Sequence, residues 1–312
     1  MKTFWFCCQS NPQVGLGHLS RLLAIAEELQ SRGHVTCFSH YSTIDHRGKE
    51  LLKSANFSTS CVCESSFNFL VIDSYELIFL NEIPEKSRVK VIQVVDDVSP
   101  NYIAIGYIQA SPISNWKPMN LKGKVFSFDR NPILRKEYDN IKRRFHFGSR
   151  IEILISLGAV ENKIFIIEKL LQVLNLYADN IARVNILDEK SIEFESNLSF
   201  NKLSLNWIHD SINFPTMIPP INYVISAAGV TAWEMIAIGV PGFIIAATNN
   251  QVQQLRYITD AGLRKGIQFL DQVDFQSSIK EIIEIDFKEN FQNAHVHIRN
   301  GRVEVANWLD TL

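Results

Sequence analysis

The residues best suited to chemistry lie in a glycine-rich turn near the start of the chain, Val14-Gly15-Leu16-Gly17-His18. Two glycines allow the backbone to turn sharply and to approach a ligand closely. A predicted helix follows, and the free N–H groups at its start favour an anion or a developing negative charge. Because this helix end is positive, we expect His18 to be a neutral imidazole that can accept a proton. A tight turn with a locally packed histidine is the alternative interpretation.

A second candidate follows a predicted strand and opens a helix, Ala228-Gly229-Val230-Thr231. The unpaired N–H groups of such a turn can hold a diphosphate without a metal ion. Glu234, one helical turn later, can accept hydrogen bonds from both hydroxyls of a ribose. The alternative is structural, because Thr231 and Glu234 also have the spacing of a capping box.

Polar residues end several other predicted strands. Asn249-Asn250-Gln251 supplies amides that can recognise sugar hydroxyls or an N-acyl group. A turn with a helix N-cap explains the same residues. In the first half of the chain, Asp73-Ser74-Tyr75 and Asp96-Asp97 also follow strands, which predicts that they face a ligand site.

The elements that must position these residues alternate between strands and helices. Residues 3–8 predict a strand, and apolar positions at helical spacing predict a helix over 19–30 that ends before Gly33. The strand segments are rich in Val and Ile rather than alternating, which is typical of a parallel sheet covered on both faces. Repeated alternation predicts an α/β fold with doubly wound sheets.

The length and the loop-rich middle of the chain predict two domains. A chain of 312 residues is roughly twice the usual domain size. We predict an N-terminal Rossmann-like domain over 1–135 on the sugar or acceptor side, and a C-terminal Rossmann-like nucleotide-binding domain over 150–300. We expect residues 301–312 to form a helix that packs back. Ligands of open α/β sheets bind at the carboxyl ends of strands, which predicts a cleft between the domains.

Composition excludes several classes of protein. The net charge is −2, from 31 basic and 33 acidic residues, so no nucleic-acid partner is expected. The most apolar region, 223–247, is interrupted by Glu234, Gly239 and Pro241, so no membrane insertion is expected. No Asp-x-Asp motif is present, and we expect neither a metal nor a cofactor. The five cysteines lack metal-site spacing and predict reduced core residues of a cytoplasmic protein.

These motifs together resemble a known family. Gly15-x-Gly17-His18-x-x-Arg21 is similar to the N-terminal signature of PseG-type UDP-sugar hydrolases, which make pseudaminic acid precursors. Spore-coat polysaccharide proteins of the SpsG type share this pattern. The segment 228–234, then Gly239-Val240-Pro241 and Asn249-Asn250-Gln251, resembles the C-terminal block of the family. The lipid-linked transferase MurG is the wider relative.

The resemblance implies a GT-B fold and a set of site residues. It places His18 at the reacting centre, with Tyr75 nearby. The implied nucleotide site comprises Gly158, Ala228, Gly229, Val230, Thr231 and Glu234. The implied sugar-facing residues are Gly15, Gly17, Arg21, Asp73, Asp97, Asn249, Asn250 and Gln251.

The function implied is hydrolysis of a UDP-linked amino or deoxy sugar to free sugar and UDP, in bacterial surface-polysaccharide or nonulosonic acid synthesis. A GT-B glycosyltransferase, in which an acceptor hydroxyl replaces water, uses almost the same site and stays open. So does a non-catalytic protein that binds sugar nucleotides, because segments 8–12 and 158–161 depart from the family pattern. The sugar, the base and the oligomeric state are not determined.

Overall fold

The computed structural model describes residues 1–39, 42–58, 67–74, 90–95, 104–110, 112, 123–126, 131–141, 150–160, 162–188, 200, 202–209, 214–268, 275–288, 298 and 300–312. The chain divides into two compact units. Unit 1 comprises residues 1–136 and 299–312, and unit 2 comprises residues 137–298.

Unit 1 is built around one parallel sheet. Its described elements are β1 (Thr3–Ser10), α1 (Gly17–Ser31), β2 (Val35–Phe38), β3 (Thr43–Ile44), α2 (His46–Ser54), β4 (Phe69–Asp73), β5 (Lys90–Val95), β6 (Gly106–Gln109), β7 (Lys124–Phe126) and the C-terminal helix α8 (Arg302–Asp310). The strands lie in the order β2-β1-β4-β5-β6-β7, and the short β3 also pairs with β1. The described strand pairs all run parallel.

Unit 2 repeats this architecture with a second sheet. Its described elements are β8 (Ile151–Ser156), α3 (Lys163–Leu174), β9 (Ile181–Leu187), β10 (Leu205–Ile208), α4 (Phe214–Met217), β11 (Tyr223–Ala227), α5 (Val230–Ala237), β12 (Gly242–Ala246), α6 (Asn249–Asp260), β13 (Lys265–Gln268) and α7 (Phe275–Lys288). The order is β10-β9-β8-β11-β12-β13, again with parallel pairs.

The central strands are buried along their whole length. Every residue of β4, β11 and β12 is buried, which requires packed layers on both faces of each sheet. The prediction of an α/β fold with doubly wound parallel sheets is therefore confirmed. No helix in the described ranges is both long enough and apolar enough to cross a membrane.

Each sheet contains one place where the chain changes direction across the strands. In unit 1 the chain leaves β1 towards β2 and later returns to β4, on the other side of β1. In unit 2 it leaves β8 towards β9 and β10 and returns to β11, on the other side of β8. Ligands of open α/β sheets bind outside the carboxyl ends of strands at such switch points. The two switch points therefore define where a site belongs in each unit.

The C-terminal helix α8 packs in unit 1 against α1, although the segment before it belongs to unit 2. Asp310 near its end pairs with Arg32 at 2.9 Å and with His34 at 2.6 Å. At its start, the Asn300 side chain exchanges two hydrogen bonds with the backbone of Leu134. These contacts anchor both ends of the helix.

The cysteines differ from the sequence expectation at one position. Cys7 and Cys8 are buried free thiols in β1, as expected. Cys37 in β2 is disulfide-bonded, so the prediction of reduced cysteines is wrong there. Its type and spacing gave no sign of this, because a disulfide depends on which distant segments meet. Cys61 and Cys63 lie outside the described residues.

Candidate functional site

The glycine-rich turn of unit 1 lies at the β1/β4 switch point. Cys8 of β1 is paired in register with Asp73, the last residue of β4. The turn is fixed by Asn11, whose side-chain oxygen accepts hydrogen bonds from the N–H groups of Gln13 and Val14 at 3.0 and 2.9 Å. Gly15 has a φ of +77°, a conformation that favours glycine, and Gly17 is the first residue of α1. His18 thereby enters the helix beside the end of β4.

His18 is held against Asp73 through one ring nitrogen. Its Nδ1 lies 3.0 Å from the backbone oxygen of Asp73 and 3.0 Å from the carboxylate Oδ1. Both oxygens are acceptors, so Nδ1 carries a proton and donates it to them. In the neutral ring the lone pair then belongs to Nε2. The contact fixes both the tautomer and the orientation of the imidazole.

Arg21 lies one helical turn after His18 and binds the same carboxylate. Its Nε donates to Oδ2 and its Nη2 donates to Oδ1 of Asp73, both at 3.0 Å. This bidentate geometry is the strongest arrangement of an arginine with a carboxylate. His18, Arg21 and Asp73 are only 4%, 4% and 2% exposed. The three side chains form one buried, charged cluster.

The charge state of Asp73 follows from this cluster. Burial by itself raises the pKa of the carboxyl group, but the charges of Arg21 and His18 and their hydrogen bonds oppose it and lower the pKa to about 2. Asp73 is therefore an anion at neutral pH. The expectation of a neutral His18 considered only the helix end; the Asp73 carboxylate acts in the opposite direction, because it stabilises an imidazolium.

The second candidate lies at the β8/β11 switch point of unit 2. Ser156 of β8 is paired in register with Ser226 of β11, and a turn follows each strand. Gly158, in the first turn, is exposed and has a φ of +63°. Gly229, in the second turn, is the N-cap of α5 and provides no side-chain cap. A Cβ atom added to either glycine meets no atom within 4 Å, so both turns face open space.

The structure excludes the capping-box interpretation of Thr231 and Glu234. A capping box requires Thr231 to be the N-cap, but the N-cap is Gly229, and Thr231 is the second residue of α5. Glu234 lies in the same helix with its side chain buried. The N–H groups of Ala228 and Gly229 donate to the backbone oxygens of Ile245 and Ala227. The first N–H groups of α5 itself, those of Val230 and Thr231, receive no side-chain cap from Gly229.

The amide segment starts the next helix. Asn249 is the exposed first residue of α6, and Asn250 is the second. The Oε1 atom of Gln251 accepts a hydrogen bond from the N–H of Ala247 at 3.0 Å, which fixes the turn after β12. Because β12 lies beside β11, α5 and α6 begin at the same edge of the sheet.

Tyr75 and Asp97 lie outside the described residues.

Sequence analysis missed Ser226. It is fully buried in β11, and its hydroxyl oxygen has no hydrogen-bond partner among the described residues. The only signal was a polar residue within the apolar run Tyr223–Ala227. It lies two residues below the turn that holds Gly229.

Known structures share this architecture. No protein-family model matches the sequence, and neither does any curated protein. Acinetobacter baumannii MurG is 14% identical over 100% of both chains, with a TM-score of 0.64. The S. aureus MnaA–UDP complex is 9% identical over 100% of this chain and 98% of the other, with a TM-score of 0.64. The Streptomyces sp. SF2575 glycosyltransferase SsfS6, complexed with thymidine diphosphate, is 10% identical over 100% of both chains, with a TM-score of 0.54. The chain therefore has the GT-B fold that the sequence predicts.

Proposed function

We propose that this protein is a glycosyltransferase that moves a sugar from a nucleoside diphosphate sugar to an acceptor hydroxyl. The observation that carries the proposal is the orientation of His18, whose Nδ1–H is held by an anionic Asp73 at the switch point of unit 1. A histidine fixed in this way is a suitable general base. Neighbours of the same fold named as glycosyltransferases favour the same class of reaction.

In this proposal unit 2 binds the nucleotide. The N–H groups at the start of α5 bind the diphosphate, aided by the open turn at Gly158. Glu234 accepts hydrogen bonds from the ribose hydroxyls. Two neighbours of the same fold were solved with UDP and with thymidine diphosphate, which favours a pyrimidine nucleotide. Metal independence stays a prediction, and turnover in excess EDTA checks it.

The proposed chemical step uses His18 in unit 1. Nε2 accepts the proton of the attacking hydroxyl while its oxygen bonds to the anomeric carbon. The bond between that carbon and the diphosphate breaks, and the nucleotide leaves with the electron pair. Asp73 stabilises the imidazolium that forms, and a positioned base of this kind contributes about 10²–10⁴-fold to the rate.

The remaining site residues take supporting roles. Arg21 and Asp73 were expected to face the sugar, but their burial and mutual pairing favour positioning His18 instead. Gly15 and Gly17 allow a sugar to approach the turn closely. Asn249, Asn250 and Gln251 at the start of α6 would contact the transferred sugar. Tyr75 and Asp97 stay proposals that rest on the resemblance alone.

Hydrolysis of a UDP-sugar, as in PseG-type enzymes, is the second candidate, and the motif around His18 favours it. Water then replaces the acceptor hydroxyl, and the same residues act. A panel of UDP- and TDP-linked amino and deoxy sugars, scored for nucleotide release, separates the two. Rapid release without an acceptor indicates hydrolysis, whereas release that rises steeply with an acceptor indicates transfer. Tight nucleotide binding with no turnover of any donor indicates a non-catalytic binding protein.

His18→Ala tests the proposed base directly. We expect turnover to fall by about 10²–10⁴-fold while UDP or TDP binding persists, because the nucleotide contacts lie in unit 2. His34→Ala is the matched control, since His34 also pairs with an aspartate, Asp310 at 2.6 Å, but at the surface of α8. Full activity of His18→Ala would contradict the assignment.

A further inference from the structure

Three buried glutamines lie in the sheet of unit 1, and the proposed chemistry does not use them. Gln9 is the second-last residue of β1, Gln93 lies within β5, and Gln109 is the last residue of β6. They are 7%, 2% and 3% exposed. Glutamine is seldom buried to this extent, so the three positions need a physical explanation. We refer to Gln9, Gln93 and Gln109 as the glutamine row.

The strand register places the glutamine row on one face of the sheet. Gln93 is paired with Tyr107, and residues two apart in a strand share a face, so Gln109 lies on the same side. Gln9 lies on the side of Trp5 and Cys7 for the same reason. These neighbours belong to one apolar cluster, which comprises Trp5, Cys7, Cys37, Leu70, Ile72, Val91, Val95, Ala104 and Tyr107.

This face is opposite to the one that carries the charged cluster. Asp73 follows Ile72 directly in β4, so its side chain lies on the other side, where it contacts His18 and Arg21 of α1. The glutamine row therefore offers neutral amides at the carboxyl end of the sheet. Gln9 and Gln109 lie at the carboxyl ends of β1 and β6, and Gln93 lies two residues before the end of β5.

Two members of the row have acceptor atoms that no group in the described ranges satisfies. The Oε1 atoms of Gln9 and Gln93 are buried and have no hydrogen-bond partner there. An unpaired buried acceptor lowers the stability of the folded chain, and an apolar side chain of similar size avoids that loss. Strand packing alone therefore does not account for amides at these positions.

We propose that the glutamine row binds the hydroxyl groups of an uncharged saccharide. Acceptor oxygens need hydrogen-bond donors, and a saccharide presents several hydroxyls close together. The choice of a saccharide rests on the proposed function, whereas the row itself rests on burial and register. The saccharide is either free or the sugar part of the nucleotide donor. The test distinguishes these two sources by measuring free saccharides and sugar nucleotides separately.

The test uses the full chain and the variant Gln93→Met, which keeps the length of the side chain and removes the amide. Ligand-observed NMR measures binding of free glucose, rhamnose and N-acetylglucosamine, and of UDP, TDP and their sugar derivatives. We expect the wild-type protein to bind at least one free saccharide or to bind a sugar nucleotide more tightly than its nucleotide. Gln93→Met should lower that saccharide-dependent affinity by about five- to hundredfold, with a Tm equal to or above that of the wild type.

Thr36→Val is the matched control. The Thr36 hydroxyl in β2 is also buried and has no partner in the part of the chain that the structure describes, but it lies beside Phe4 near the start of the sheet. This variant should retain the saccharide affinity.

Three results overturn the proposal. The first is a wild-type protein with no saccharide-dependent binding in either arm. The second is an unchanged saccharide-dependent affinity in Gln93→Met, which means that the Gln93 amide does not bind the saccharide. The third is a large fall in the Tm of Gln93→Met, which means that a group in the folded protein already satisfies the amide. Failure to bind UDP or TDP counts against the proposed function instead, because those contacts lie in unit 2.

Discussion

Arg21 binds both carboxylate oxygens of Asp73, with Nε to Oδ2 and Nη2 to Oδ1 each at 3.0 Å. The same carboxylate accepts the Nδ1–H of His18. Two residues on one face of α1, separated by one turn, thus converge on the last residue of β4. Arg21 therefore orients the imidazole through Asp73, and no direct contact between Arg21 and His18 is needed.

The contact between Arg21 and Asp73 predicts that Arg21 positions His18, and the conservative variant Arg21→Lys tests this. Arg21→Lys keeps the charge but cannot make the bidentate contact, so the carboxylate and the imidazole lose their fixed orientation. We expect kcat to fall by roughly 10- to 100-fold, with KM for the nucleotide sugar little changed. Steady-state kinetics with varied donor concentration measures both constants.

Arg32→Lys is the matched control for this variant. Arg32 follows the end of α1 and pairs with Glu28 at 2.8 Å and with Asp310 at 2.9 Å, away from the switch point. Its kinetics should equal those of the wild type. A rise in KM with constant kcat in Arg21→Lys would instead indicate that Arg21 contacts the substrate.

The low pKa of Asp73 predicts a specific loss of stability in acid. Because the pKa is lowered from 3.8 to about 2 in the folded protein, the unfolded chain takes up the proton first as the pH falls. The contribution, about 2 kcal/mol, is complete above pH ~4 and is lost as the pH approaches 2. Urea unfolding of the wild type and of Asp73→Asn across this range measures it.

The informative quantity is the difference in the free energy of unfolding between the wild type and Asp73→Asn. Asp73→Asn leaves Arg21 buried without its carboxylate, so the variant should be less stable at neutral pH. The difference in the free energy of unfolding should shrink as the pH falls towards 2. A constant difference from pH 6 to pH 2 would mean that Asp73 is not held as an anion.

The pH dependence of turnover should also change in Asp73→Asn. The carboxylate stabilises the protonated imidazole, so His18 in the variant loses its proton at a lower pH. A general base acts when it is unprotonated, and the acid limb of kcat/KM should therefore move to lower pH, with a lower plateau. An acid limb at the same pH in both proteins would exclude His18 as the titrating base.

Two glycines of unit 2 allow a closely matched test of the proposed nucleotide site. Gly158 and Gly262 have φ values of +63° and +65°, and a Cβ atom on either meets no atom within 4 Å. Alanine at each position should cost a similar amount of stability, about 1–2 kcal/mol. Only Gly158→Ala should weaken binding of UDP or TDP, because Gly262 lies after α6, at the other end of the sheet. Calorimetric titration measures the affinities, and equal weakening in both variants would mean that backbone strain alone is responsible.

Gly229→Ala complements this pair without backbone strain. Gly229 has a φ of −136°, which other residues adopt, and its Cβ position is open. We expect a normally folded variant with weaker nucleotide binding, since the added methyl group occupies space beside the first N–H groups of α5. Unchanged UDP and TDP affinity would place the diphosphate elsewhere.

The sequence by itself determined the alternation of strands and helices and the bounds of its first elements. The predicted strand 3–8 corresponds to β1 (Thr3–Ser10), and the predicted helix 19–30 corresponds to α1 (Gly17–Ser31). Gly33 follows that helix with a φ of +85°, as expected of a glycine that ends a helix. These features depend on the types and spacing of residues close together in the chain, so local patterns predict them.

Only the tertiary structure decided what the chemical residues contact. Asp73 lies 52 positions after Arg21, and their pairing exists because β4 returns to lie beside β1 in one register. The same register places Gln9 and Gln93 on the opposite face from Asp73. The capping-box alternative at Thr231 failed because the helix begins one residue after Gly229. Residue type and spacing do not determine which strands become neighbours or in what register, because the packing of the whole sheet selects both.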